Sequence, residues 1–236
     1  MAFDLASVLV KAPFAWRGVT WGDAIEIAGV YVVLALYGWI TPAKAGATAG
    51  ATAGGPRAAL LAFATISYAL GHGIHVAANS AHDMLAATGG GDPWGLVTLW
   101  DEGIGHYLVD AGRVAFAIGL TWAESGAAAL PPGGALAPSA ASTRGRWLLL
   151  LGAGAYGFIY FATAVEGQTA PLALPFCAAY AIWSMWGARR AARSGSGGEA
   201  PIRAFYSVAA WIALLLFAIW GATQGGLPEF TKVGIL

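Results

Sequence analysis

Cysteine occurs once, at Cys177. A single thiol excludes a disulfide framework and any zinc site built from cysteines. Charge is scarce: Asp, Glu, Lys and Arg make up 10% of the 236 residues, under half the roughly 25% of a soluble domain. That excludes a disordered chain and an ordinary cytosolic enzyme. Neither sign of charge is in excess, with twelve basic and twelve acidic residues. No net field steers a polyanion, so nucleic acid is not an expected partner. The HExxH signature of zinc proteases is missing, as are HxxHH boxes. No glycine loop runs into a Lys followed by Ser or Thr.

What the chain does have is apolar length. Apolar residues make up 58%, and mean hydropathy is +0.65. The eleven tryptophans suit a protein that meets two membrane interfaces. A spanning helix needs about 20 mainly apolar residues, and six stretches qualify: 23–41, 58–79, 103–123, 147–166, 171–188 and 204–222. The fold expected is an all-α integral membrane bundle of about six transmembrane helices. Residues 1–22 read as an interfacial N-terminal segment, because the apolar run Leu5–Val10 is short and Trp16 and Trp21 can anchor it. Residues 23–222 form the six-helix domain and 223–236 a short tail.

Loops 42–57, 125–146 and 189–203 alternate with the spans so that all three fall on one side. They carry Lys44, Arg57, Arg144, Arg146, Arg189, Arg190, Arg193 and Arg203. The positive-inside rule makes that side cytoplasmic and puts both termini on the other face. Lys11 and Arg17 run against this assignment. No matching polar positions relate the two halves, so an inverted repeat is not indicated. Gly152, Gly154 and Gly157 in the fourth span should allow close helix packing.

All four histidines lie between positions 72 and 106. On an α-helix His72, His75, Asn79 and His82 share about 80° of arc, and so do Glu102, His106, Asp110 and Arg113. Such faces cannot point at lipid, where their hydrogen bonds would be lost. The alternation of spans puts His72, His75, Glu102 and His106 at similar depth near the outer leaflet. Glu166 and Glu26 enter at the same level from the fourth and first spans. The linker Gly89–Pro93 is placed to cover them.

The expectation is a metal site. Its candidate ligands are His72, His75, His106 and Glu102, with His82 and Glu26 as further candidates. Imidazole with carboxylate suits zinc first, then iron or copper. Glu102, Glu166 and Asp101 are the candidate catalytic carboxylates, Asp101 otherwise serving as a helix N-terminal charge. Asp110 and Arg113, three apart, are expected to pair. Asp23 reads as an interface charge, and Glu124 and Glu229 as solvated ends. The leading function is a metal-dependent enzyme, a hydrolase or a di-metal oxidase, acting on a lipid or other apolar substrate. The alternatives are a metal-ion or proton transporter, and a structural or haem-binding subunit of a membrane complex. Expected partners are membrane lipid, the apolar substrate, and a second copy or a complex subunit.

Overall fold

The computed structural model describes residues 20–45, 55–87, 89, 93–127, 143–194 and 200–235. The described residues form an all-helical fold. In order it forms α1 (Trp21–Ala45), α2 (Pro56–Ala87), a short α3 (Pro93–Thr98), a π-helical segment (Leu99–Gly105), α4 (His106–Ala127), α5 (Thr143–Glu166), α6 (Ala170–Ser194), α7 (Pro201–Gln224) and a 3₁₀ turn (Thr231–Val233). The proposed N-terminal interfacial segment, apart from its last residues, and much of the three basic loops and the Gly89–Pro93 linker lie outside the described residues.

Five of the six apolar stretches each fall in one long helix, and 103–123 begins in the π-helical segment and continues along α4. Four of these helices are long and apolar enough to cross a membrane: α1 over Trp21–Gly38, α2 over Pro56–Ala86, α5 over Gly145–Glu166, and α7. The expected count of six is thus met by four on length and composition. The other two fall short for readable reasons. α4 carries Asp110 and Arg113 among its apolar residues, and α6 holds Pro175 and runs into Arg189, Arg190 and Arg193.

α4 has neighbours on several sides. It packs against α1, α2, α6 and α7, and Val109, Asp110, Arg113, Phe116, Leu120, Thr121 and Glu124 along it are all buried. A helix enclosed by protein can carry polar groups that a lipid-facing one cannot. Its seam with α2 is made by glycines. A Cβ at Gly71 would fall 2.5 Å from the Val109 backbone N, and one at Gly112 would fall 2.7 Å from that of Tyr68. The two backbones approach this closely only because neither position has a side chain. α5 packs on α7 in the same manner. A Cβ at Gly157 would lie 2.5 Å from the Ala209 carbonyl, whereas Gly152 and Gly154 face side chains at 3.4 and 3.7 Å.

Two apolar clusters result. Ala64, Tyr68, Val109, Ala115 and Phe116 join α2 to α4. A larger one, including Tyr160, Phe161, Cys177, Tyr206 and Phe217, joins α4 to α5, α6 and α7. Tyr37 of α1 packs against both clusters. Its ring stacks on Phe116 at 3.9 Å and its hydroxyl meets that of Tyr206 at 3.2 Å.

Asp23, read as an interface charge, and Glu124, read as a solvated end, are both buried, and each serves a helix N-terminus. Asp23 is 1% exposed. It accepts from the backbone N–H and the hydroxyl of Thr20 at 2.7 and 2.8 Å, while the Thr20 hydroxyl accepts from the Asp23 N–H at 3.2 Å. This is a capping box that starts α1. Glu124 accepts the Ile202 and Arg203 N–H groups, both at 2.9 Å, so it caps α7 from the far end of α4. The tail after α7 turns at Gly225 (φ 69°) and folds back, with Trp220 Nε1 donating to the Pro228 carbonyl at 2.9 Å. On this tail the Glu229 carboxylate, 2.5 Å from Lys232 Nζ, holds that ammonium above its usual pKa.

Candidate metal centre

The His-bearing face of α2 divides between two neighbours. Toward α1, His72 Nδ1 donates to Glu26 Oε1 at 2.7 Å, and the Asn79 amide reaches Asp23 at 3.5 Å. Toward the α3–α4 strand of helix, His75 Nδ1 meets Asp101 Oδ1 at 2.5 Å. His82 stacks on Trp94 with ring centroids 3.8 Å apart. His72 and His75 thus share a level with Glu26, whose Oε1 is also 4.0 Å from His75 Nε2. His82, two turns further along α2, is occupied by the Trp94 ring.

The third wall is the π-helical segment. Helices of this kind are rare and recur at functional sites. Here the His106 N–H bonds to the Asp101 carbonyl, an i→i+5 closure. Five residues along an ordinary α-helix would put the two side chains about 140° apart. The wider turn brings both to one side instead. Gly105 makes room for it: a Cβ there would be 3.1 Å from the His75 backbone N and 3.2 Å from the Trp100 carbonyl.

The result is a convergence of donors. One ligand atom from each of His75, Asp101 and His106 lies within 4.8 Å of the others, and the rings of His75 and His106 are 4.5 Å apart. Glu102 Oε2 stands 3.1 Å from His106 Nδ1. Three buried atoms around this point make no hydrogen bond within the described residues: Glu26 Oε2, Glu102 Oε2 and His106 Nδ1. Buried polar atoms are nearly always satisfied; Glu102 Oε2 and His106 Nδ1 face each other without hydrogen-bond alignment, and Glu26 Oε2 stands beside them, so this set could hold a cation. Residues and geometry therefore fit a divalent metal held by nitrogen and oxygen.

His106 is also fixed from the far side. The turn between α5 and α6 lies against it, where a Cβ at Gly167 would fall 2.6 Å from His106 Nδ1. One turn inward, the Asp110–Arg113 pair is present at 2.8 Å. Arg113 donates to the Thr163 hydroxyl at 2.9 Å and Thr169 donates to Asp110. These bonds tie α4 to α5 and to the start of α6 directly beneath the cluster.

Of the sequence candidates, His72, His75, His106, Glu102, Glu26 and Asp101 are brought together. Glu166 is used elsewhere: its Oε2 accepts the Phe230 N–H at 2.8 Å and anchors the tail. The contributions of Gly105 and Gly167, which shape and close the cluster, were missed. The pair of glycines in Asp101–Glu102–Gly103–Ile104–Gly105 was the available signal for a distorted helix start. Compared with family models, curated proteins and solved structures, the chain matches none.

Proposed function

We propose that this chain is an integral-membrane metalloprotein and that the cluster of His75, Asp101 and His106 is its metal centre, with Glu26 and Glu102 completing the donor set and His72 orienting Glu26. The observation that carries this reading is the convergence of three ligand atoms within 4.8 Å beside unsatisfied carboxylate oxygens. The membrane part rests on the four long apolar helices and on exposed tryptophans at both ends of the bundle. Trp21 and Trp100 lie at the cluster end, and Trp122, Trp147 and Trp186 at the other. All six long helices cross in this reading, with the polar face of α4 covered by its neighbours, α6 turning Ile182, Trp183 and Trp186 outward, and the cluster near the non-cytoplasmic face.

The chemistry we assign is metal-dependent catalysis on an apolar or lipid substrate. A bound divalent ion supplies an acidified water or a polarised substrate oxygen. The chain's own contribution is to aim the ligands. Asp101 on Nδ1 turns His75 Nε2 toward Glu26, the carboxylate–histidine relation that sets ligand orientation at metal sites. Below Arg113, α4 presents Ala115, Phe116, Ala117 and Leu120 to the core, which supports a site open to one side over a transport path through both leaflets.

Elemental analysis of the purified, tag-free protein, with an optical spectrum of the same sample, tests this reading. Stoichiometric zinc without colour supports a hydrolase, and iron or copper supports an oxidase. His75→Ala and His106→Ala should each abolish the metal content. Protein that is metal-free as isolated and takes up no added zinc, iron or copper would overturn the assignment.

A further inference from the structure

Inward of the cluster, the bundle holds a cavity of about 560 Å³, within the roughly 300–1,000 Å³ range of ligand sites. α1 packs on α2 and α4, while α5 packs on α6 and α7; the cavity occupies the space between these groups. Leu36 of α1 and Leu148 of α5 line it and are strongly exposed, so we take the opening to lie between them, on what would be the lipid side. Its inner end is lined by aromatic rings and by Arg113. The Tyr68 ring packs edge-on against His72 at 4.5 Å, so the inner end abuts the cluster.

Three features define what would fit. The walls are apolar and aromatic, which suits a flat ring and a hydrocarbon tail. The cation at the inner end is already balanced, because Arg113 is paired with Asp110 at 2.8 Å. An added carboxylate would therefore enter a neutral, low-dielectric site without a free counter-charge, which is costly. A hydroxyl donor is available: Tyr156 lines the cavity and its ring packs against Tyr206 and Phe205 at 5.6 and 5.5 Å. Its hydroxyl makes no hydrogen bond within the described residues.

We infer that this cavity binds a neutral lipid-soluble carbonyl compound of the quinone type, entering sideways from the bilayer between Leu36 and Leu148 and accepting a hydrogen bond from Tyr156. The inference rests on the cavity and on the membrane part of the reading above, and does not depend on the metal part.

The test uses the full chain in detergent micelles with 2-decyl-1,4-benzoquinone as probe. After gel filtration, quinone co-eluting with protein is extracted and quantified against protein-free micelles. The expected result is saturable retention approaching about one equivalent per chain. Tyr156→Phe should weaken it roughly 3- to 10-fold, the effect of one hydrogen bond, and Leu149→Trp, which fills the cavity, should remove it. Decanoic acid should fail to displace the quinone. Tyr156→Phe is a conservative change that keeps the test valid if the tryptophan variant misfolds. Retention no greater than in empty micelles, equal retention in Tyr156→Phe and wild type, or displacement by decanoic acid at quinone-like concentrations would each overturn the proposal. A metal chelator is present throughout, so failure here leaves the metal result standing, and the reverse.

Discussion

Asp101 and His106 stand five residues apart, yet both reach His75, because the His106 N–H closes a π-type turn onto the Asp101 carbonyl. The register has a consequence for which carboxylate matters. In an α-helix Glu102, four residues before His106, would be the partner. In the π segment Asp101 takes the interior position: its side chain is 9% exposed and bonded to His75, whereas the Glu102 side chain is 37% exposed. Asp101→Ala should therefore lower metal affinity by about 10- to 100-fold, whether Asp101 ligates the ion or holds His75 for it. Glu102→Ala should have the smaller effect. Competition with a metal-sensitive chelator measures both. A greater loss in Glu102→Ala would show that the segment is an ordinary α-helix in the working protein.

Beneath the cluster, Asp110 and Arg113 are 2% and 6% exposed. Arg113→Ala leaves a buried carboxylate with the Thr169 hydroxyl but without its cation, a change that typically costs about 3–5 kcal/mol. Removing both charges together, as Asp110→Asn with Arg113→Met, should recover most of that loss. Thermal unfolding in detergent of the two single variants and the double variant checks this. If Arg113→Ala melts with the wild type, the pair does not hold α4 in place.

Much of this organisation was legible in the chain. Apolar length located the six long helices, and the spacing of His72, His75, Glu102 and His106 put them at the level where the candidate cluster stands. The Asp110–Arg113 pair followed from the price of burying either charge alone. Three things were not legible, each for a physical reason. A π turn differs from an α turn by one hydrogen-bond step, and Asp101–Gly105 carries no side chain that enforces it. Glu124 and Asp23 look like helix-end charges, which they are. What buries Glu124 is α7, brought to it only by tertiary packing. Glu166 continued an interior stripe as expected, but the Phe230 N–H that claims it comes from the far end of the chain.

The α2–α4 seam is tested by its glycines. Gly112→Ala would place a Cβ 2.7 Å from the Tyr68 backbone N and 2.9 Å from the Ala64 carbonyl. Backbone cannot yield as a flexible side chain does, so the helices must separate, at a cost of about 1–3 kcal/mol. Gly73 lies on the same helix as Ala64 and Tyr68 but has nothing within 4 Å of its Cβ position. Gly73→Ala should be neutral or raise stability by up to about 1 kcal/mol through helix propensity. Melting temperatures of the pair in one detergent compare them directly. Equal destabilisation by both would mean that the loss reflects glycine's backbone freedom and not contact between α2 and α4.

Gly167 offers the sharpest separation of geometry from ligand chemistry. It is no ligand, and its backbone N–H bonds the Thr163 carbonyl at 2.8 Å, which an alanine preserves. A Cβ there, however, would lie 2.6 Å from His106 Nδ1 and 2.8 Å from its Cγ. The imidazole, not the α5–α6 turn, has the freedom to move, and moving it takes the Nδ1 atom away from Glu102 and the ring away from His75. Gly167→Ala should thus keep every candidate ligand in the sequence and the folded helix content, while losing metal affinity by about 10-fold or more, the usual effect of disturbing the groups behind a metal ligand. Metal content and circular dichroism on the same preparation read the two quantities separately. Full metal content in Gly167→Ala would place His106 outside the metal centre and leave His75 with the carboxylates as the remaining set.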